Sequence, residues 1–452
     1  MNYLARPVFF LLLLMLALLS AMASAAATAK TREFSLDNGL KVIVREDRRA
    51  PIVTSQLWYR VGSSYETPGN TGLAHVLEHM MFKGSSKLGP GESSRILREL
   101  GAVENAFTSD DYTSYYQVIA RNRLEVALEI EADRLQGLTL DEQEFRSELE
   151  VVKEERRLRT DDNPDGLAYE RFKSLAYPAS SYHIPTIGWM HDLERMSITD
   201  LRRWHRDWYA PNNAILVLVG DIDAAEAKPL VQRHFGHIKP QPLPAAKIPL
   251  ELPAPGERRA SIRVNSNQPS LLLGFNAPGL NTASDPREAH ALRLISAILD
   301  SGRSSRLYRQ LVQEQETAHS AWSWYNAFSR GDSLFVLSAK PNLQQGISLE
   351  QLEQALWQQL VQLQQQGPSQ AELDRVRAQL IASETYAMDS IGRIGRTIGI
   401  LESVGLGWQH METDSAQLMS ITAADIQAAA RKFFTKERSV TLHSLPAGEQ
   451  QQ

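Results

Sequence analysis

Part of this chain is written twice. Ser197-Ile-Thr-Asp-Leu-Arg-Arg-Trp, then Trp208-Tyr209, then Ala214-Ile-Leu-Val-Leu-Val219, returns 223 to 225 residues later as Ser420-Ile-Thr-Ala-Ala-Asp, Phe433-Phe434 and Ser439-Val-Thr-Leu-His-Ser. In each copy a Thr (Thr199, Thr422) stands where a helix N-cap belongs, an amphipathic helix ends in two aromatics, and a β-rich run follows. Repetition on this scale restricts the fold to a tandem duplication of one α+β unit, against the competing reading that helix-then-strand endings are simply common. Between the copies, Pro240, Pro242, Pro244, Pro249, Pro253 and Pro255 form a density that neither a helix nor a central strand tolerates. The expected organisation is therefore a first unit over 30–238, a linker over 239–257 and a second unit over 258–446. A chain of 452 residues is long enough for two independent cores.

Within the first unit, Phe34 to Val44 alternates apolar and polar residues around Asn38-Gly39, a hairpin signal. Ile52 to Val61 and Thr108 to Ile119 read as strands. Leu73 to Phe82, Ser93 to Leu100, Arg123 to Leu135 and Asp141 to Arg159 read as helices. Strand and helix layers together predict an α+β fold.

Composition removes several classes of function. Apolar residues are 43% and charged residues 22%, the balance of a soluble globular protein. Net charge is −5 and the basic residues are scattered, so no nucleic-acid partner is expected. Arg6, the apolar run Val8 to Met22 and the small-x-small Ala23-Ser24-Ala25 predict a cleaved signal peptide over 1–25 and export to the periplasm; an uncleaved anchor is the alternative. The chain has no Cys, which excludes a disulfide framework and a lipid-modified cysteine.

The densest chemical signal is Leu73-Ala-His-Val-Leu-Glu-His-Met-Met-Phe82. Helical spacing puts His75, Glu78 and His79 on one face, where two imidazoles one turn apart grip a single zinc ion. A catalytic zinc site takes three protein ligands and keeps one position open, so a third ligand must come from elsewhere. The helix from Glu142 offers Glu148 and Glu155, two turns apart on one stripe; one would ligate and the other support, unless both belong to a solvated acidic face. The remaining histidines, His183, His191, His205, His234, His237, His290, His410 and His443, show no ligand spacing and are read as structural.

These residues resemble the pitrilysin or insulin-degrading-enzyme family of inverted zincins, peptidase family M16, in its short two-domain type similar to the mitochondrial processing peptidase β subunit. Asn105-Ala-Phe-Thr-Ser-Asp-Asp-Tyr-Thr-Ser-Tyr-Tyr116 looks like the family's substrate-binding edge strand, and Leu299-Asp-Ser-Gly-Arg-Ser-Ser-Arg-Leu-Tyr308 resembles its Gly-rich stretch. The resemblance implies two duplicated α/β-sandwich domains of the LuxS/MPP-like metallohydrolase fold facing each other across a cleft, the second an inactive structural repeat. It implies one Zn²⁺ held by His75, His79 and Glu155, Glu78 as general base, and Glu148 orienting a ligand imidazole. Extended peptide would lie along Asn105, Ala106, Phe107 and Thr108. Active relatives add from the second half an Arg and, seven residues later, a Tyr; here those positions hold Val312 and His319, the latter still able to donate a hydrogen bond. That departure makes the chain look like the zinc-bearing member of a heterodimer whose homologous partner supplies the Arg/Tyr pair. A non-catalytic scaffold and a zinc-storage protein are the rival classes, and metal-dependent cleavage separates all three.

Overall fold

The computed structural model describes residues 31–447, so the expected signal peptide lies outside the described residues. The chain opens with β1 (Thr31–Ser35) and β2 (Lys41–Glu46), paired antiparallel as Asn38-Gly39 predicts, with Gly39 at φ 86° in the turn. β3 (Ile52–Tyr59), β4 (Val103–Thr108), β5 (Thr113–Ala120) and β6 (Ala214–Gly220) complete a six-stranded sheet in the order β1-β2-β6-β3-β5-β4. The strand expected over Thr108 to Ile119 begins instead at Thr113, and Thr108 closes the separate strand β4. Ser109 divides the two: its hydroxyl accepts from the amides of Asp111 and Tyr112 and closes a turn. The second sheet contains β7 (Arg258–Val264), β8 (Ser270–Ala277), β9 (Ala318–Tyr325), β10 (Ser333–Pro341) and β11 (Ser439–Pro446), in the order β7-β11-β8-β10-β9. Residues 239–257 contain neither helix nor strand.

The repeated segment takes the same form in both halves, with one change to the sequence reading. Ser197, not Thr199, caps the helix Ile198–Trp208, through a reciprocal capping box with Asp200. Thr422 caps Ala423–Phe433 with Asp425 in the same way. Aligned by their caps, the copies are related by 225 residues throughout, and β6 corresponds to β11.

Each sheet buries one face in its own half. Val42, Val44, Leu57, Leu216 and Leu218 pack under the first half's helices, and Leu271, Leu273, Phe275 and Leu337 under the second's. The opposite faces are covered by exchange. Helix Pro164–Ala176 of the first half lays Ala168, Phe172 and Ala176 on Leu272, Val336 and Val440 of the second sheet. Helix Ile391–Val404 of the second half lays Ile394 and Ile398 on Ile43, Trp58 and Val217 of the first. Close approach depends on Gly399, where a Cβ would come within 2.0 Å of Trp58 Cε2.

Candidate active site

The helix Leu73–Met80 starts at Gly72, whose φ of 89° fits the turn but which has no side chain to cap the free amides. Glu66 does this from a distance. Its Oε2 accepts from the Gly72 amide at 2.7 Å and its Oε1 from the Ala74 amide at 2.8 Å. Burial pushes this carboxyl up to about 8, although the two amides pull the other way. Asp192 braces the same turn by accepting from the Thr71 hydroxyl at 2.6 Å. Val76, Leu77 and Met80 are fully buried beneath the helix, so its other face, with His75, Glu78 and His79, is presented to a cleft.

The third ligand, a carboxylate, comes from the helix Glu142–Arg156, capped by Asp141. The α-helical path ends at Arg156 and the wider π-turn Arg157–Asp161 follows, so the run expected to reach Arg159 changes geometry in its last turn. Glu155 Oε2 lies 3.4 Å from His79 Nε2 and 3.6 Å from His75 Nε2. A tetrahedral zinc with ligand bonds of about 2.0–2.1 Å separates its donors by about 3.3–3.5 Å. Glu155 Oε2 is also buried without a hydrogen-bond partner, so a cation between the three residues would satisfy an otherwise orphaned oxygen. The donor set therefore fits zinc. Arg159 holds the other oxygen of Glu155 at 2.8 Å.

Glu148 does not join the three. Its Oε1 meets His79 Nδ1 at 2.9 Å and its Oε2 meets Lys83 Nζ at 2.5 Å, which turns His79 Nε2 toward Glu155. Burial alone would lower His79, but the Glu148 hydrogen bond and the charges of Glu78, Glu148 and Glu155 raise it. His75 is held down at about 3, by burial first and then by the charges of His79 and Arg159, so its imidazole stays neutral. Burial raises the Glu78 carboxyl, opposed by the Thr108 hydroxyl that donates to its Oε2 at 2.5 Å. A base lifted toward neutrality suits proton transfer.

His75, Glu78, His79, Glu155 and Arg159 line a cleft of about 730 Å³ together with Asn105, Ala106, Phe107 and Thr108. The last four lie on β4, the edge of the first sheet, whose outer rim has no neighbouring strand among the described residues. Phe107 is sandwiched from two sides: Trp58 meets it edge-on at 5.3 Å, and Arg396 of the exchanged helix sits 4.2 Å over its ring. His183, read from its spacing as structural, also lines the cleft, its Nδ1 tied to the Ser180 carbonyl at 2.8 Å. Lys83 and Arg159 were equally missed, yet each lies four residues beyond a site residue, a pairing the helical period could have flagged.

His319 is the one proposed site residue that the structure does not bring to the others. It is exposed on β9 and lines a neighbouring cavity with Asp165, Trp322 and Lys340; only the Tyr169 side of that cavity is shared with the cleft. Val312 packs against the second half's core.

Residues 41–188 match the family described as Insulinase (Peptidase family M16), and residues 195–380 match the Peptidase M16 inactive domain. The chain is 31% identical to the zinc protease PqqE of Helicobacter pylori over 92% of its own length and 93% of that protein. It belongs to peptidase family M16. Another relative, the uncharacterized zinc protease YmxG of Bacillus subtilis, is 26% identical over 92% of this chain and 98% of its own length. A crystal structure of a protease from Helicobacter pylori superposes with a TM-score of 0.87 at 30% identity, covering 92% of this M16 chain and all of that one. The periplasmic protease PqqL of Escherichia coli shares the fold, with a TM-score of 0.77 at 18% identity; this chain covers 47% of its length.

Proposed function

We propose that this M16 chain is an exported, periplasmic zinc metalloendopeptidase that hydrolyses extended or unfolded peptides and is the zinc-bearing member of a heterodimer. The observation that carries the reading is the convergence of His75, His79 and Glu155 donor atoms within 4.8 Å, beside Glu78 and an unpaired strand edge. His75, His79 and Glu155 would hold one zinc. Zinc in that position supplies Lewis acidity, lowering the pKa of water to near 7 and polarising a carbonyl. Glu78 takes the proton from the attacking water and passes it to the leaving amine, with Thr108 steadying one carboxylate oxygen. Glu148 keeps His79 in the ligating tautomer. Peptide adds as a strand along β4, where main-chain hydrogen bonds give affinity with little dependence on sequence.

The heterodimer rests on what this chain lacks at the cleft. Val312 offers no donor and His319 lines a different cavity, so in this reading a sister subunit supplies the electrostatic support for the developing oxyanion. PqqL, of which this chain spans less than half, is long enough for two such units and is named periplasmic, which supports both the pairing and the location. Co-purification with a homologous chain and a mature N-terminus at Ala26 would support the reading. Full activity from identical chains alone, or an unprocessed chain in the cytoplasm, would contradict it.

A further inference from the structure

We propose that Trp322 and Tyr169 form a subsite that selects peptides by an aromatic side chain next to the segment held on β4, an inference that rests on the peptidase reading above. Trp322 stands on β9, the edge of the second sheet among the described residues, and its backbone pairs with Ser338 of β10. Side chains of a strand alternate between faces, and β9 divides its residues accordingly. Ala321 and Tyr325 pack into the second half's core, and the Ser323 hydroxyl donates to the Ser296 carbonyl of helix Pro286–Leu299. Ser320, Trp322 and Trp324 therefore take the opposite face, the one on which helix Pro164–Ala176 of the first half lies.

That helix covers only part of the face. Leu272 and Val336 are buried beneath Ala168 and Phe172, but one strand further out Trp322 is 41% exposed and Trp324 46%. Two adjoining indoles left in solvent at a sheet edge mark a contact surface, and Trp is among the side chains most enriched where binding energy concentrates. A cavity of about 570 Å³ lies between Trp322 and the helix, which contributes Tyr169 and Asp165 to its wall. Tyr169 also lines the catalytic cleft, so the two spaces share that side chain. Phe172, fully buried one turn along the helix, backs the Tyr169 ring with 6.4 Å between centroids. A peptide on β4 that continues past Tyr169 meets Trp322 next.

The charges around the cavity decide which side chain it takes. Asp165 and Lys340 pair with each other at 3.0 Å, so their charges offset and neither sign prevails. What remains to grip a side chain is the Trp322 indole, the Tyr169 ring and the Leu272 methyls. A neutral aromatic ring gains most from such walls, by burying apolar area and by stacking offset or edge-on against the two rings. A carboxylate would be desolvated there with no free cation to meet it.

The test reads binding to the full zinc-loaded chain carrying Glu78→Gln, so that it does not depend on turnover. The probe is a labelled unfolded Ala/Ser peptide in which a single Phe is walked through successive positions, followed by fluorescence anisotropy. At the position that reaches the subsite, Phe is expected to tighten binding about tenfold over the Phe-free parent. Trp322→Ala is expected to cut that gain to about twofold or less and Trp322→Phe to keep most of it, with the circular dichroism of both unchanged. No gain at any position, survival of every gain in Trp322→Ala, or an equal gain from Lys at the same position would overturn the proposal. Failure of the peptidase reading shows separately, as absence of turnover when the same peptides are offered to the chain with Glu78 in place.

Discussion

Replacing Glu148 isolates the contribution of a residue that steers a ligand without touching the metal. Its carboxylate is 8% exposed and bridges His79 Nδ1 at 2.9 Å and Lys83 Nζ at 2.5 Å. Loss of such an orienting partner lowers metal affinity by about 10- to 100-fold, or about 1.4–2.8 kcal/mol. Glu148→Gln keeps an acceptor oxygen for His79 but turns an amide NH2 toward Lys83, so it gives up the charge and the Lys83 pair while still steering the ring, and it belongs near the lower end. Glu148→Ala removes the acceptor and lets the ring turn, so it belongs near the upper end; Lys83 is 30% exposed and rehydrates, adding little. Zinc affinity is read by competition with a chromogenic chelator. The pH dependence gives a second readout. Glu148 helps raise His79, so in the metal-free fold His79 keeps its proton to higher pH than in the unfolded chain. The stabilisation is present below the unfolded value, is lost as pH rises through the folded one, and the proton competes with zinc over that range. In Glu148→Ala the onset of this competition moves to lower pH. Equal zinc affinity and an unshifted profile in Glu148→Ala would refute the steering role.

Three further outcomes follow from the fold around the site. Glu66 is lifted to about 8 by burial, so its contribution to stability is full below the usual carboxylate range near 4.5 and is lost as pH rises through about 8; Glu66→Gln flattens the fall in urea-unfolding free energy between those values, and an unchanged slope would contradict this. Gly399→Ala drives a methyl to within 2.0 Å of the buried Trp58 ring and lowers stability by about 1–3 kcal/mol in thermal or urea unfolding, whereas a neutral result would mean that the exchanged helix is not seated on the first sheet. Arg396→Ala removes a cation from the face of Phe107, worth about 0.5–1 kcal/mol, and should raise KM for peptide about two- to fivefold with kcat nearly constant; a fall in kcat alone would argue against its acting through β4.

Much of this was legible because it is local. His75, Glu78 and His79 share a helix face by spacing alone, and the Asn38-Gly39 turn announces its hairpin. The repeat was legible too, but its cap was misplaced: Thr199 and Ser197 have equivalent hydroxyls, and only the reciprocal bond with Asp200 distinguishes them. The break between β4 and β5 was legible but overlooked: Ser109-Asp110-Asp111 is a turn-forming triplet between the two β-rich runs. What was not legible joins distant parts of the chain. Glu66 caps a helix it does not belong to, and Gly395 and Gly399 look like helix weaknesses until Gln56 and Trp58 lie against them. The exposed position of His319 on β9 depends on which face of that strand the second sheet leaves open.

The central claim is that His75, His79, Glu155 and Glu78 form a hydrolytic zinc centre. Its most direct test is cleavage of a quenched fluorescent unfolded peptide by zinc-loaded protein, with Glu78→Gln as the control and a homologous partner chain added where one co-purifies. The account predicts turnover that a chelator abolishes and zinc restores, and that Glu78→Gln loses while keeping its zinc. Zinc bound with no turnover in any pairing, or turnover that survives Glu78→Gln, would contradict it.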